Sequence, residues 1–134
     1  YINASRGIEI YNNLMFNSMG IDVRFRNGKA KIYNNILSGR IKARNGGSYI
    51  EQNNLIDIDC LDTNNTFSDC ALLDIYKDLS TLDLSLVDGQ AILKKGIKTP
   101  AEYDLCGEKF DTEAPDLGPI QYSVKQSCLA GNQK

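Results

Sequence analysis

The stretch Ile8-Glu9-Ile10-Tyr11-Asn12-Asn13-Leu14 is followed by two close variants of itself: Ala30-Lys31-Ile32-Tyr33-Asn34-Asn35-Ile36, then Ser48-Tyr49-Ile50-Glu51-Gln52-Asn53-Asn54-Leu55. The Asn-Asn pairs begin at positions 12, 34 and 53, so they recur at nearly equal intervals. A repeat of about 20 residues, with apolar and polar residues alternating before an asparagine turn, is typical of a solenoid.

Each repeat also contains a second alternating segment, 21–26 in the first and 40–44 in the second. Asn-Gly turns follow both, and a meander of antiparallel hairpins is therefore the alternative interpretation. A meander does not require the Asn-Asn turn to recur at one place in every round, and the leucine ladder of a leucine-rich repeat is absent. The pattern therefore predicts an all-β parallel β-helix of about three coils. Asparagine tolerates the left-handed backbone of a sharp bend, and asparagines in register can form an amide ladder. The predicted turn asparagines are Asn12, Asn13, Asn34, Asn35, Asn53 and Asn54.

Composition fits a folded soluble domain, with 134 residues, 42% hydrophobic residues and a net charge of −2. This balance does not indicate a nucleic-acid partner, and the longest apolar runs fall short of the roughly 18 residues of a membrane span. Because the sequence starts at Tyr1 without Met, inside a repeat-like segment, we expect further coils upstream. An uncovered first coil would favour self-association through that end.

The chain divides by pattern into repeats (1–59), a polar loop (60–70) and last strands with an irregular C-terminal cap (71–134), all in one domain. Residues 71–79 fit either one face of a helix or an extended segment.

Cysteines stand at Cys60, Cys70, Cys106 and Cys128, with no histidine in the chain, which argues against a zinc site. Two disulfides are expected, one closing the polar loop and one holding the tail. Four free buried thiols are the alternative.

The tail carries a family resemblance. Its pieces are Leu84-Ser85-Leu86, Gly89-Gln90-Ala91-Ile92, Gly96, Asp104-Leu105-Cys106-Gly107 and Ala114-Pro115-Asp116-Leu117-Gly118-Pro119-Ile120-Gln121-Tyr122. In this order, after Asn-turn repeats, they resemble the C-terminal ending of secreted right-handed parallel β-helix proteins of the pectate-lyase-like superfamily. The chain departs from that pattern at Gln90, where serine-proline is usual, at Glu108-Lys109, where an arginine is usual, and in its four cysteines.

The resemblance implies a right-handed coil, an extended rather than helical segment over 71–86, and an extracellular or periplasmic bacterial location. It also implies a sheet face that binds uronate polysaccharides, where a lysine or arginine can serve as base in the lyases.

Basic residues recur on one predicted face. Matching the turn Asn27-Gly28 with the turn Asn45-Gly46 places Arg24 over Lys42, Phe25 over Ala43 and Arg26 over Arg44. Stacked cations repel one another, and an anionic ligand would explain them. A solvated face with Asp22 and Glu9 as counter-charges is the alternative. The candidate substrate-binding residues are Arg24, Arg26, Arg40, Lys42 and Arg44, with Lys29 nearby.

Other chemistry is less well supported. A glycoside hydrolase needs two spaced carboxylates, and the predicted outward positions offer only Asp22. Asp57, Asp59 and Asp62 provide oxygens of the kind that calcium prefers, but their spacing matches no metal loop, so no cofactor is expected and calcium stays a minor alternative. Asp104, Asp111 and Asp116 are expected in turns and caps.

The sequence therefore favours a protein that binds or acts on an acidic polysaccharide, as a polysaccharide lyase does. A non-catalytic adhesin, glycan-binding module or structural stalk is the alternative.

Overall fold

A computed structural model describes residues 1–60 and 70–122, and in them the first nine strands form three parallel sheets. The first sheet contains β1 (Ile2–Asn3), β4 (Gly20–Arg24) and β7 (Arg40–Arg44). The second contains β2 (Ile8–Tyr11), β5 (Lys29–Tyr33) and β8 (Ser48–Gln52). The third contains β3 (Leu14–Met15), β6 (Ile36–Leu37) and β9 (Leu55–Ile56).

The chain visits the sheets in rotation, so that each round adds one strand to each sheet and lies against the round before it. The pairing is parallel throughout these sheets, as the repeat predicted, and the hairpin meander is excluded for them. The fold is thus all-β with a β-helix-like stack of three parallel sheets.

Alternation within the strands builds the core between the sheets. Val23, Ile32, Ile36 and Leu37 are fully buried; the first, second and fourth belong to one apolar cluster, and Ile36 belongs to a second. Because side chains of a strand point to opposite faces in turn, the polar residues that alternate with Val23 and Ile32 lie on the outside.

The register between the first and second rounds differs from the predicted one. Arg24 pairs with Arg44, and Asp22 takes the place opposite Lys42 that the matched turns had assigned to Arg24. The two Asn-Gly turns are not equivalent, because the connection from β4 to β5 is one position longer than that from β7 to β8. The bend residue with positive φ is Phe25 in the first turn and Asn45 in the second. Phe25 is accordingly 44% exposed. It lies in the turn and not over Ala43, where the matched turns had placed it, because Ala43 pairs with Val23.

The second asparagine of each Asn-Asn pair forms a ladder along the stack. The backbone N–H and the side-chain amide of Asn13 both donate to Oδ1 of Asn35, at 2.9 and 3.0 Å. Asn35 donates to Oδ1 of Asn54 in the same way, at 2.9 and 3.0 Å. These bonds satisfy polar groups that the turns would otherwise leave without partners.

The first asparagine of each pair makes the bend and holds the tail. Asn12, Asn34 and Asn53 have φ of 53°, 59° and 53°, in the left-handed region that asparagine tolerates. Their side-chain amides donate to tail carbonyls: Asn12 to Asp116 and Gly118, Asn34 to Ile97, and Asn53 to Lys95.

The segment after the coils is mixed rather than extended. A short 3₁₀ helix (Ile58–Cys60) leads to the Cys60–Cys70 disulfide, which confirms the predicted closure of the polar loop. A single helical turn, α1 (Leu72–Ile75), precedes β10 (Tyr76–Asp78), a 3₁₀ turn (Leu79–Thr81) and β11 (Asp83–Leu86). The expectation of an extended 71–86 is therefore wrong for the helical turn, whose Leu72 and Ile75 are buried in the core. β10 and β11 pair antiparallel.

The tail up to Tyr122 is held by buried polar side chains. Asp104 accepts from the backbone N–H groups of Cys106, Glu108 and Gln121, all at 2.8 Å. Asp116 accepts from the N–H of Lys94, and Gln121 accepts from that of Asp116. Cys106 is disulfide-bonded, whereas Cys128, its expected partner, lies outside the described residues. Within the described ranges there is no helix with the length and apolar character of a membrane span.

Candidate functional site

The outer face of β4 and β7 carries four of the five predicted cationic residues, and three of them, Arg24, Lys42 and Arg44, lie around Asp22. Parallel pairing places Arg24 beside Arg44 and Asp22 beside Lys42, and all four side chains lie at outward positions. We call this group of Asp22, Arg24, Lys42 and Arg44 the basic face. Three positive charges against one negative charge give it a positive balance, in a chain whose net charge is −2.

Asp22 joins the two arginines. Nε of Arg24 donates to Oδ2 of Asp22 at 2.9 Å, and Nε of Arg44 donates to both carboxylate oxygens, at 3.2 and 3.0 Å. Nη2 of Arg44 also donates to Oδ2. These hydrogen bonds, led by that of Arg44, lower the pKa of Asp22 from 3.8 to about 2, so the carboxylate is charged throughout the physiological range. Asp22 therefore offsets the repulsion expected between stacked arginines.

Arg24 is fixed from a second side by Tyr1. Its guanidinium carbon lies 3.9 Å from the centroid of the Tyr1 ring, a cation–π contact. The only hydrogen bond from the Arg24 side chain to the described residues uses Nε, so its two Nη groups remain available as a donor fork. A planar fork of this kind matches a carboxylate or sulfate in a bidentate contact.

A groove of about 230 Å³ lies beside Tyr1 and Asp22. Lys42 and Arg44 line one part of it, and Tyr1 and Met19 line another. Lys42 is exposed and forms no ion pair with the described carboxylates. The groove thus combines an aromatic ring, a lysine ammonium and a guanidinium that is held in place.

The other two predicted cations lie at the margins. Arg40 begins β7 beside Gly20, two positions before Lys42 on the same strand face, and is exposed. Arg26 lies in the turn after β4, next to Gly46. The matched turns had predicted that it stacks on Arg44, and this prediction is wrong because Arg24 pairs with Arg44. Lys29 begins β5 in the neighbouring sheet and does not belong to this face.

Sequence reasoning missed the role of Tyr1 and understated that of Asp22. Tyr1 reaches this face because β1 pairs with β4 through Ile2 and Val23, and the same register leads from Asp22 to Tyr1; a strand of two residues gives only a weak signal in the sequence. Asp22 was expected only as a nearby counter-charge. Its bridging position follows from the observed register, which places it diagonally opposite Arg44.

Asp57, one of the three aspartates considered as calcium ligands, holds the backbone in place through hydrogen bonds. Oδ1 of Asp57 accepts from the N–H of Asp59 at 3.1 Å, and Oδ2 accepts from the N–H of Ala71 at 2.9 Å. Asp62, the third residue of the calcium alternative, lies outside the described residues. The sulfurs of Cys60 and Cys70 are close to Asp57, but they are joined in a disulfide and cannot act as thiolate ligands.

The comparisons with known proteins give no relative for this arrangement: no family model, no curated protein and no solved structure matches the chain.

Proposed function

We propose that this chain binds an acidic polysaccharide through the basic face. The observation that supports the proposal best is that Arg24 and Arg44 are both hydrogen-bonded to Asp22. Asp22 orients Arg24 and Arg44 side by side and leaves the Nη fork of Arg24 open. Guanidinium groups that are already ordered lose less conformational entropy when an anion binds than free arginines do.

The partner that fits is a polymer with carboxylate or sulfate groups along it. Neighbouring strands of a sheet lie about 4.8 Å apart, so cations on successive coils form a row along the stack. Arg24 and Arg44 are neighbours of this kind on adjacent strands, and Lys42 lies two residues from Arg44 on the same strand. A chain of uronate or sulfated sugars offers repeated anions that several of these cations can contact together, while Tyr1 offers an apolar ring surface beside them.

A lyase reaction on the same polymer is the second candidate. It requires a group that neutralises the uronate carboxylate and a base that removes a proton. Lys42 lies in the groove beside Arg44 without an ion-pair partner among the described carboxylates, which is the placement that a base would need.

The family and location belong to this proposal too. A right-handed coil of the pectate-lyase-like superfamily is supported by the parallel three-sheet stack and by the order of the tail motifs. A secreted or surface location is supported by the Cys60–Cys70 disulfide, since such bonds persist in oxidising compartments.

The test is isothermal titration of the protein with alginate, pectate and chondroitin sulfate, with neutral dextran as the polymer control. We expect saturable binding to at least one anionic polymer, which weakens as salt is added. Lys42→Gln and Arg44→Gln should each weaken it about fivefold, the effect of roughly 1 kcal/mol of lost charge contact. The matched control is Lys31→Gln, which removes the same charge from an exposed outward position in the second sheet.

Equal loss of affinity in the Lys31 and Lys42 variants would assign binding to total charge and contradict the proposal, as would absence of binding to all three polymers. Unsaturated product, followed by its ultraviolet absorbance, would add the lyase activity. Its loss in Lys42→Gln at polymer concentrations that saturate the variant would make Lys42 the base.

A further inference from the structure

Met19 is an exposed apolar side chain at the edge of the basic face. It immediately precedes β4 and is 74% exposed. Its neighbour in the next coil is Gly39, which approaches the Met19 backbone so closely that a Cβ there would collide with the Met19 carbonyl carbon. Because position 39 therefore carries no side chain, the second coil leaves the Met19 thioether uncovered.

The other sulfur atoms of the described residues are protected from oxidation. The chain contains two methionines and neither tryptophan nor histidine. Met15 lies in β3 and is half-buried against an apolar cluster of the core. Cys60, Cys70 and Cys106 are all disulfide-bonded. Since oxidation of a thioether requires access to its sulfur, a hydroperoxide should react first with Met19.

The reaction transfers one oxygen atom and two electrons. The Met19 sulfur attacks one oxygen of hydrogen peroxide, so that an S–O bond forms as the O–O bond breaks. The proton on the transferred oxygen passes to the departing hydroxide, which leaves as water. The sulfur is oxidised by two electrons and the peroxide is reduced by two. An apolar thioether, which is a weak acceptor, thereby becomes a polar sulfoxide.

The sulfoxide oxygen forms beside strong hydrogen-bond donors. Met19 lines the same groove as Lys42 and Arg44. Lys42 is exposed and forms no ion pair with the carboxylates of residues 1–60 and 70–122. Its ammonium has three donors and no acceptor, so oxidation of Met19 supplies a polar acceptor within the groove where only a thioether stood before.

We propose that Met19 is an oxidation site that weakens anion binding by the basic face. The sulfoxide oxygen accepts a hydrogen bond from the Lys42 ammonium and so competes with a carboxylate or sulfate of the ligand. Reduction of the sulfoxide restores the thioether, which makes the change reversible. The effect on binding rests on the proposed function, whereas the oxidation of Met19 and its contact with Lys42 do not.

The first test treats the full chain with limiting hydrogen peroxide and locates the added oxygen by peptide mass spectrometry. We expect Met19 to be oxidised at least about tenfold faster than Met15. In NMR spectra of the product the side-chain resonances of Lys42 should shift, while those of Lys31, an exposed lysine of the second sheet, should not. Equal oxidation of the two methionines, or unchanged Lys42 resonances, would overturn the proposal irrespective of glycan binding.

The second test repeats the titration with the anionic polymer that the untreated chain binds. Oxidation should weaken binding about fivefold, the effect of one lost charge contact, and methionine sulfoxide reductase should restore it. Each variant is compared with itself before and after peroxide. Met19→Leu should lose the response, and Met15→Leu should keep it.

Unchanged affinity of the oxidised parent, or a response that persists in Met19→Leu, would overturn the effect on binding and leave the proposed function standing. Absence of binding before treatment would overturn the proposed function, and the effect on binding with it.

Discussion

At the residue scale, the hydroxyl of Tyr76 is a buried polar group. Tyr76 is 1% exposed, and its hydroxyl has no hydrogen-bond partner among the described residues. Burial raises the pKa of this phenol above its usual range. A buried donor that is not hydrogen-bonded lowers the free energy of unfolding, so the Tyr76 ring stabilises the fold while its hydroxyl destabilises it.

Tyr76→Phe is therefore expected to leave the free energy of unfolding unchanged or to raise it by about 1 kcal/mol, measured by urea denaturation. The matched control is Tyr122→Phe, because the Tyr122 hydroxyl donates to the carbonyl of Leu84 at 2.5 Å. Its loss should destabilise the protein by about 1 kcal/mol. A Tyr76→Phe variant less stable than Tyr122→Phe would show that the Tyr76 hydroxyl has a partner.

Asp22 gives a prediction for pH. Its folded-state pKa is lowered from 3.8 to about 2, so its ion pairs stabilise the folded protein fully above about pH 4 and progressively less as the pH falls toward 2. Asp22→Asn should therefore be less stable than the parent at neutral pH, and the difference should shrink across this window. Urea denaturation of both proteins at several pH values tests this, and a difference that stays constant down to pH 2 would contradict it.

At the element scale, the first and second asparagines of the Asn-Asn turns have different structural roles. Asn35 is fully buried, and its amide donates to the carbonyls of Ile10 and Tyr33 as well as to Asn54. Asn53 is exposed and donates to the Lys95 carbonyl. The second residue of the pair thus holds the coils together, whereas the first makes the bend and contacts the tail.

Asn35→Ala should lower the free energy of unfolding by about 2–4 kcal/mol, because it leaves several buried groups without partners. Asn53→Gly preserves the bend and should cost no more than about 1 kcal/mol. Thermal and urea unfolding of the two variants provide the comparison. Equal losses would mean that the ladder contributes nothing beyond the turn itself.

The Cys60–Cys70 disulfide closes a short loop, with a sequence separation of 10 between the two cysteines. In the chain-entropy model a loop of this size contributes about 3 kcal/mol of stability. Replacing both cysteines by serine should lower the free energy of unfolding by about that amount, in a variant that leaves Cys106 and Cys128 intact. A loss below about 1 kcal/mol would indicate that the adjoining helical turn and Asp57 hold the segment without the bond.

Local patterns predicted the strands better than their register. Alternation found the segments that became β4 and β7, since a buried face imposes period two on any such strand. The register depended on which turn residue occupies the left-handed position, and Phe25 occupies it where asparagine was expected. The helical turn Leu72–Ile75 agrees in part with the helical interpretation of 71–79, which the family resemblance had set aside for an extended segment, and it is fixed by the burial of Leu72 and Ile75.

At the scale of the whole molecule, the candidate site arises only from stacking. Arg24 and Arg44 belong to different coils and become neighbours because those two coils lie in register. Alternation predicted that Arg24, Lys42 and Arg44 lie outward, but it did not reveal that Asp22 bridges the arginines. Tyr1 entered the site through the pairing of β1 with β4, which the two residues of β1 signal only weakly in the sequence.

The measurement that tests the central claim most directly is chemical-shift mapping by NMR of the labelled protein during titration with short oligosaccharides of pectate, alginate and chondroitin sulfate. We predict that at least one of them shifts the backbone amides of Asp22, Arg24, Lys42 and Arg44 and the Arg24 side chain. Amides on the outer face of the second sheet, around Glu9 and Lys31, should stay unchanged. Shifts spread over both sheets, or confined to the second, would contradict the assignment of glycan binding to the basic face.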